Sequence, residues 1–173
     1  DDGEAVGIDP TTGFGQTQRA PQRNYGVEAT VQVSPTDDLE LGLSISWQEG
    51  ENDADNDGDF NALSSLEVPP VRVSITGQYQ ATTNLDLGFQ VLVAADRSRA
   101  FDDGVDGFEV DGYTTFDVRA GYRLPVGGLE LQVTNLFNED YLPAESQSRL
   151  GFGANRRFAA PGRALSLTYR TTF

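Results

Sequence analysis

Strict alternation of apolar and polar residues is the feature that most constrains how this chain can fold. In the C-terminal stretch RALSLTYRTTF, residues 163 to 173, one phase holds Leu165, Leu167, Tyr169 and Phe173 and the other holds small or polar residues. Because successive side chains of a strand point to opposite faces, this pattern predicts a β-strand with one apolar and one polar face.

The same alternation recurs along the chain, in six further segments at 25–34, 39–48, 71–79, 85–93, 116–123 and 129–134. No segment sustains apolar residues at helical spacing, so we expect no helix of useful length. Short connections rich in Pro, Gly, Asn and Asp alternate with long polar ones, the short ones at 34–38, 81–84 and 125–128 and the long ones at roughly 48–70, 96–112 and 138–162. Such short connections form hairpin turns. The pattern predicts an all-β fold, an antiparallel up-and-down meander of about seven strands.

The placement of loops and aromatic residues indicates a transmembrane β-barrel segment. Outer-membrane barrels have short turns at the periplasmic end and long extracellular loops. Aromatic residues of the apolar phase fall at two levels, with Tyr25, Trp47 and Phe137 near the long loops and Tyr79, Tyr122 and Phe173 near the short turns. Two such girdles are expected where a lipid-facing wall crosses the two membrane interfaces. The alternative is a soluble β-sandwich or lipocalin-like barrel, whose apolar face would be its core.

Composition excludes several classes of function. The chain of 173 residues carries a net charge of -15 and has neither His nor Cys. Binding to nucleic acid is not expected, because neutralising phosphates requires clustered Lys and Arg. A Ser-His-Asp triad cannot be assembled without His, and we expect no enzyme. A run of about 18 apolar residues, as a transmembrane helix needs, is also missing from the sequence.

Three segments resemble the C-terminal part of the barrel of TonB-dependent outer-membrane receptors. They are NYGVEATVQVSPTDDLELGLSISW, GLELQVTNLFNEDYLP and PGRALSLTYRTTF, and the resemblance covers about residues 16 to 173. The most specific of them is NLFNEDY at residues 135 to 141. Members of this family have an N-terminal plug domain and a barrel of 22 strands. With about seven strands and no plug, this chain is expected to be an open part of a larger barrel.

The resemblance implies a function and a set of partners. It implies uptake of a scarce nutrient, most often a ferric siderophore, through the outer membrane of a Gram-negative bacterium. The energy would come from the TonB protein acting through the missing plug. Outer-membrane lipid, lipopolysaccharide, the barrel assembly machinery and a small-molecule ligand are the other expected partners. Residues 1–173 would form the C-terminal barrel region, with 1–23 an extracellular loop and 24–173 strands and loops. The alternative is a complete small barrel of about eight strands with a structural or adhesion role.

The first long loop carries a candidate metal site. Its sequence ENDADNDGDFN places Asp53, Asp55, Asp57 and Asp59 at the offsets of an EF-hand loop. This spacing predicts a bound calcium ion, and no other cofactor is expected. Ser64 stands at position 12 of the loop, where an EF-hand has a bidentate Glu. The alternative interpretation is a solvated acidic surface loop.

The third long loop carries a candidate ligand-binding site. Arg149, Arg156 and Arg157 lie among the aromatic residues Tyr141 and Phe152. Arginines beside aromatic rings suit a planar anion such as a ferric chelate, through charge-assisted hydrogen bonds and stacking. Alternatively, these arginines contact lipopolysaccharide phosphates or the neighbouring acidic loops.

The terminal strand resembles the signal by which the assembly machinery takes up outer-membrane barrels. Phe173 at the C-terminus, with Tyr169 and Leu167 on the same face, matches that signal. By this resemblance, these three residues mark the chain for membrane insertion.

Overall fold

A computed structural model describes residues 2–8, 15–148 and 158–171 of the chain. The strands of this part are β1 (Asp2–Ile8), β2 (Gly15–Thr36), β3 (Leu39–Asn52), β4 (Asn61–Ala62), β5 (Arg72–Gln80), β6 (Leu85–Ala94), β7 (Tyr113–Arg123), β8 (Gly128–Thr134) and β9 (Ala164–Arg170). Two short helices, α1 (Arg99–Asp102) and α2 (Ala144–Ser148), interrupt the long loops. Across the described ranges, no helix has the length and apolar character needed to cross a membrane.

The strands form one antiparallel meander in the order β1-β2-β3-β5-β6-β7-β8-β9, and the two-residue β4 pairs with β3. The seven predicted strands are confirmed as β2, β3 and β5 to β9. Tight turns join β2 to β3, β5 to β6 and β7 to β8, as predicted. In the last of these turns Gly127 has a φ of 80°, which favours glycine, and its carbonyl accepts the Leu124 N–H.

The sheet is open at both edges. In the described part of the chain, residues 25 to 34 pair only with β3, and β9 pairs only with β8. The predicted open meander is therefore confirmed, with residues 25 to 34 and β9 at its edges, and β1 is a further edge strand that was not predicted. Such edges present unpaired backbone N–H and C=O groups to further strands.

The prediction that residues 1–23 form a loop is wrong, because most of these residues lie in β1 and in the first part of β2. β1 pairs with the first part of β2 in an antiparallel ladder that runs from Asp2 opposite Pro21 to Ile8 opposite Gly15. This segment contains two prolines and lacks clean alternation, and neither feature favours a strand. Ladder hydrogen bonds are made by the main chain and need no alternation of side chains. Pro21 moreover lies where β2 changes its pairing partner. The residues before it pair with β1, and the residues after it pair with β3.

The register places apolar residues on one face across the whole sheet. Residues directly opposite each other in paired strands point to the same face. One row crosses seven strands and consists of Val33, Leu41, Gly77, Phe89, Val118, Val133 and Leu165. Gly77 has no side chain because the ring of Phe89 occupies the space that a Cβ would need. Many large apolar residues of this face are exposed, among them Val27, Val31, Tyr79 and Leu167. The sheet is therefore a single layer that needs lipid or another partner on this face.

The buried apolar residues lie mainly in the long loops. They include Ala62, Leu63, Val68, Ala100, Val110 and Ala144, each at most 4% exposed. The core of the described chain thus sits at one end of the sheet, where it holds the loops in place.

Candidate functional site

Three long loops extend from the same end of the sheet and form the candidate functional site. We refer to residues 53–71 as loop 1, residues 95–112 as loop 2 and the described residues 135–148 and 158–163 as loop 3. Tight turns and long loops alternate along the meander. All three long loops therefore emerge from the same end of the sheet, as predicted. Loops 1 and 2 are strongly acidic.

A network of ion pairs joins loop 2 to the outer ends of β2 and β3. Glu49 lies between two arginines, accepting hydrogen bonds from Arg97 and, at 3.2 Å, from Arg99. Arg99 also donates to Glu51 at 3.0 Å, and Arg23 lies 3.4 Å from the other oxygen of Glu51. The Arg97 side chain is only 5% exposed, and its pairing with Glu49 means that neither of these charges is buried alone.

Aromatic residues flank this network. Tyr25 accepts a hydrogen bond from Arg99 at 3.2 Å, and this bond is the largest cause that raises the pKa of Arg99. The Arg23 guanidinium carbon lies 3.9 Å from the centre of the Phe60 ring, which is a cation–π contact. Trp47 packs edge-on against Tyr25 with ring centroids 5.9 Å apart. The network therefore begins where the predicted outer aromatic girdle ends.

Sequence reasoning missed this network, although a signal was present. Glu49 and Glu51 follow Trp47 in the apolar phase of β3, and Arg23 precedes Tyr25 in the apolar phase of β2. Charges in the lipid-facing phase are unfavourable within a membrane. Their appearance indicates that both strands continue beyond the apolar band, where ion pairs can form.

The structure brings together three of the four predicted metal ligands. One carboxylate oxygen each from Asp53, Asp55 and Asp57 lies within 4.8 Å of the others. Asp53 is buried, and its two oxygens accept N–H groups from Asp57 and Gly58, each at 3.0 Å. Asp59 is not in this group, and its N–H donates to Asp57 at 2.9 Å. Calcium binding in this loop stays a prediction.

The segment NLFNEDY forms the joint between β8 and β9. Asn135 is buried with a φ of 51°, and its side-chain amide accepts the Glu139 N–H at 2.8 Å and donates to the Glu139 carbonyl at 2.9 Å. Asn138, with a φ of 56°, accepts the Arg163 N–H at 2.9 Å. The motif thus holds loop 3 at the start of β9, which is a structural role.

The predicted ligand-binding residues are only partly visible. Tyr141 stacks on Tyr113 with ring centroids 4.0 Å apart. Burial, followed by the proximity of Tyr113 and Asp117, raises the pKa of the Tyr141 phenol. The other predicted ligand residues, Arg149, Phe152, Arg156 and Arg157, lie outside the described residues.

The predicted assembly signal is also partly visible. Leu167 and Tyr169 lie on the exposed apolar face of β9, and the Tyr169 hydroxyl donates to the Val126 carbonyl at 2.9 Å. Phe173 lies outside the described residues. Its role in assembly stays a prediction.

The polar face of the sheet carries charged side chains that pair across strands. Arg119 donates to Asp86 and to Gln78, each at 3.1 Å. Gly88 lies beneath the Arg119 side chain, and a Cβ there would collide with it. These contacts are those of a water-filled or plugged interior rather than of a packed core.

Comparison with known proteins shows what this arrangement is similar to. Residues 2–138 match the family model described as TonB dependent receptor-like, beta-barrel. The ferric aerobactin receptors of Escherichia coli and Klebsiella pneumoniae are each 31% identical over 121 residues. That match covers 69% of this chain and 15% of each receptor. The chain therefore corresponds to a small part of these curated relatives.

Solved structures share the fold at low sequence identity. The copper transporter OprC superposes with a TM-score of 0.72 at 23% identity, covering 95% of this chain and 25% of that one. The FrpB iron transporter from Neisseria meningitidis gives a TM-score of 0.70 at 17% identity, covering 96% of this chain and 26% of that one. The siderophore receptor PirA from Acinetobacter baumannii gives 0.62 at 15% identity, covering 100% and 26%.

Proposed function

Because the chain belongs to the TonB-dependent receptor β-barrel family, we propose that it is the C-terminal barrel region of a receptor that imports a ferric siderophore. The receptor would lie in the outer membrane of a Gram-negative bacterium and draw energy from TonB through a plug domain. The observation that carries this proposal is the open, single-layer sheet with a continuous apolar face and all long loops at one end. The chain is not an enzyme, since the related proteins are receptors and transporters.

The names of related proteins support iron as the cargo. Two curated relatives are ferric aerobactin receptors, and FrpB is an iron transporter. The rival function, a complete small barrel with a structural or adhesion role, requires β2 and β9 to meet directly or through one strand. Among the described residues no such pairing occurs, which favours a section of a larger wall.

Each part of the chain has a role in this proposal. The apolar face contacts outer-membrane lipid, and the loops contribute to the outer surface that meets lipopolysaccharide and the small-molecule ligand. Arg149, Arg156 and Arg157, with Phe152 and Tyr141, would bind the ferric chelate. Phe173, Tyr169 and Leu167 would be read by the barrel assembly machinery.

Uptake by the full-length receptor tests the proposal. We expect a siderophore-receptor-deficient strain that expresses it to accumulate radioactive iron from ferric aerobactin or another ferric siderophore, and only when TonB is present. Replacing Arg149, Arg156 and Arg157 together with alanine should weaken ligand binding at least tenfold, because a charge-assisted hydrogen bond contributes about 1.5 to 3 kcal/mol. Arg123→Ala, beside the tight turn that follows β7, is the control. TonB-independent uptake, or no uptake from any ferric siderophore, would contradict the proposal.

We further propose that Asp53, Asp55 and Asp57 bind calcium, because the structure gathers their carboxylates. Extracellular calcium modules bind with dissociation constants of about 10⁻⁴ to 10⁻³ M. Titrating millimolar calcium into the full-length receptor should therefore give a binding heat, and Asp57→Asn should remove it. Glu67→Gln changes an exposed carboxylate of loop 1 outside the cluster and should leave the heat intact. An equal heat in both variants would place the calcium elsewhere.

A further inference from the structure

Loop 2 supplies hydrogen-bond partners to the backbone of loop 1. The carboxylate of Asp103 accepts the Ala62 N–H at 2.9 Å, and that of Asp106 accepts the Ser65 N–H at 3.0 Å. Between these two points, Arg97 donates to the Leu63 carbonyl at 3.2 Å. Ala62, Leu63 and Ser65 are all buried, so these backbone groups depend on loop 2 in place of water.

The two loops also share one anchor on the sheet. Arg97, which holds Leu63, pairs with Glu49 near the end of β3. The Nε atom of Arg97 is buried and has no hydrogen-bond partner among the described residues, so the guanidinium relies on Glu49 and on the Leu63 carbonyl. Loop 1 reaches the same strand through the Leu63 N–H, which donates to the Gly50 carbonyl at 2.8 Å. Opening either loop would therefore expose a buried charge that the other loop helps to hold.

Further hydrogen bonds order the start of loop 1 and the two ends of loop 2. The Asp53 N–H donates to the Pro21 carbonyl at 3.0 Å, and the Asp53 carboxylate holds the N–H groups of Asp57 and Gly58. In loop 2, Arg97 and Val110 exchange two backbone hydrogen bonds of 2.9 Å, and Val110 is fully buried. The turn at residues 53–58 is thus bonded to β2, and the two ends of loop 2 are bonded to each other beside the shared anchor.

We propose that loops 1 and 2 open and close as one cooperative unit, with Glu49 and Arg97 as the joint between them. The amides of such a cooperative unit lose their protection against hydrogen exchange together, because no part of the unit is stable alone. A ligand that contacts the exposed tip of either loop would then order both. This inference does not depend on the identity of the transported ligand.

Native-state hydrogen exchange on the full-length receptor tests the proposal without any substitution. As denaturant is added, the amides of Gly58 in loop 1 and Val110 in loop 2 should converge on one opening transition. The Gly58 N–H is bonded to Asp53 within loop 1, and the Val110 N–H is bonded to Arg97 within loop 2. The two amides therefore share no hydrogen bond that would make them exchange together. Two transitions that merge only when the whole barrel unfolds would overturn the proposal.

A pair of variants with a matched control gives a second test. The double variant Asp103→Asn and Asp106→Asn weakens the hydrogen bonds to Ala62 and Ser65. A cooperative unit predicts at least tenfold faster exchange at Asp57 and Gly58 as well, although neither is bonded to loop 2. Asp102→Asn is the control, because its carboxylate accepts only the Ser98 hydroxyl among the bonds seen here, within loop 2. Acceleration confined to Ala62 and Ser65 would show that the loops open independently.

Discussion

Replacing Leu43 with arginine should lower the free energy of unfolding of the full-length receptor in a lipid bilayer by about 2 to 4 kcal/mol. Leu43 lies in the middle of β3, in an apolar row between Val31 of β2 and Ile75 of β5. In the proposed receptor this row faces lipid, where an arginine would have to leave water for hydrocarbon. Unfolding by denaturant in liposomes measures the loss.

The neighbouring residues provide controls on the same strands. Ser44→Arg places the charge on the polar face one residue away and should be tolerated. Val91 lies in the same row as Leu43, opposite Ile75, and Val91→Arg should be as costly as Leu43→Arg, whereas Gln90→Arg should not. If arginine were equally costly on both faces, neither face would contact lipid, and the membrane assignment would fail.

Replacing Asn135 with alanine should destabilise the receptor by about 1 to 3 kcal/mol, because it removes two hydrogen bonds that each contribute about 0.5 to 1.5 kcal/mol. The lost amide satisfies both the N–H and the carbonyl of Glu139. Alanine also tolerates the positive φ less well than asparagine does. The joint between β8 and β9 would loosen, which thermal unfolding in detergent should detect as a lower midpoint.

Asn56→Ala is the matched control for this prediction. Asn56 also has a positive φ, of 59°, but it is exposed in loop 1. The substitution therefore carries the same backbone strain without removing a buried amide. Asn135→Asp keeps the acceptor for the Glu139 N–H and should lose only part of the stability. Equal losses for Asn56→Ala and Asn135→Ala would mean that backbone strain alone explains the effect.

The strands of the sheet could be predicted from the sequence because their signal is local. The period of two in a segment such as 39–48 specifies a strand and its two faces, and the tight turn at its start specifies its neighbour. The ladder between β1 and β2 was missed, since main-chain pairing near Pro21 requires no pattern of side chains. The strand length was underestimated for β3, which continues to Asn52 after its apolar phase ends at Trp47.

The candidate site could be predicted only where its residues are close in sequence. The spacing of Asp53, Asp55 and Asp57 within one loop led to three carboxylates that do lie together. Arg97 and Glu49 are 48 residues apart, and nothing in the sequence states that they meet. The same is true of Asp103 and Ala62, which are 41 residues apart.

By itself, then, the sequence determined the meander, its two faces and the end at which the long loops emerge, because alternation and turn residues act over a few positions. Only the tertiary structure decided which loop residues are buried and which charges pair. Those contacts depend on how loops 1 and 2 pack over the end of β3, where burial of Leu63 and Val110 places the Arg97 side chain against Glu49. Packing between distant segments follows from shape and desolvation in three dimensions, and no periodicity of the chain encodes it.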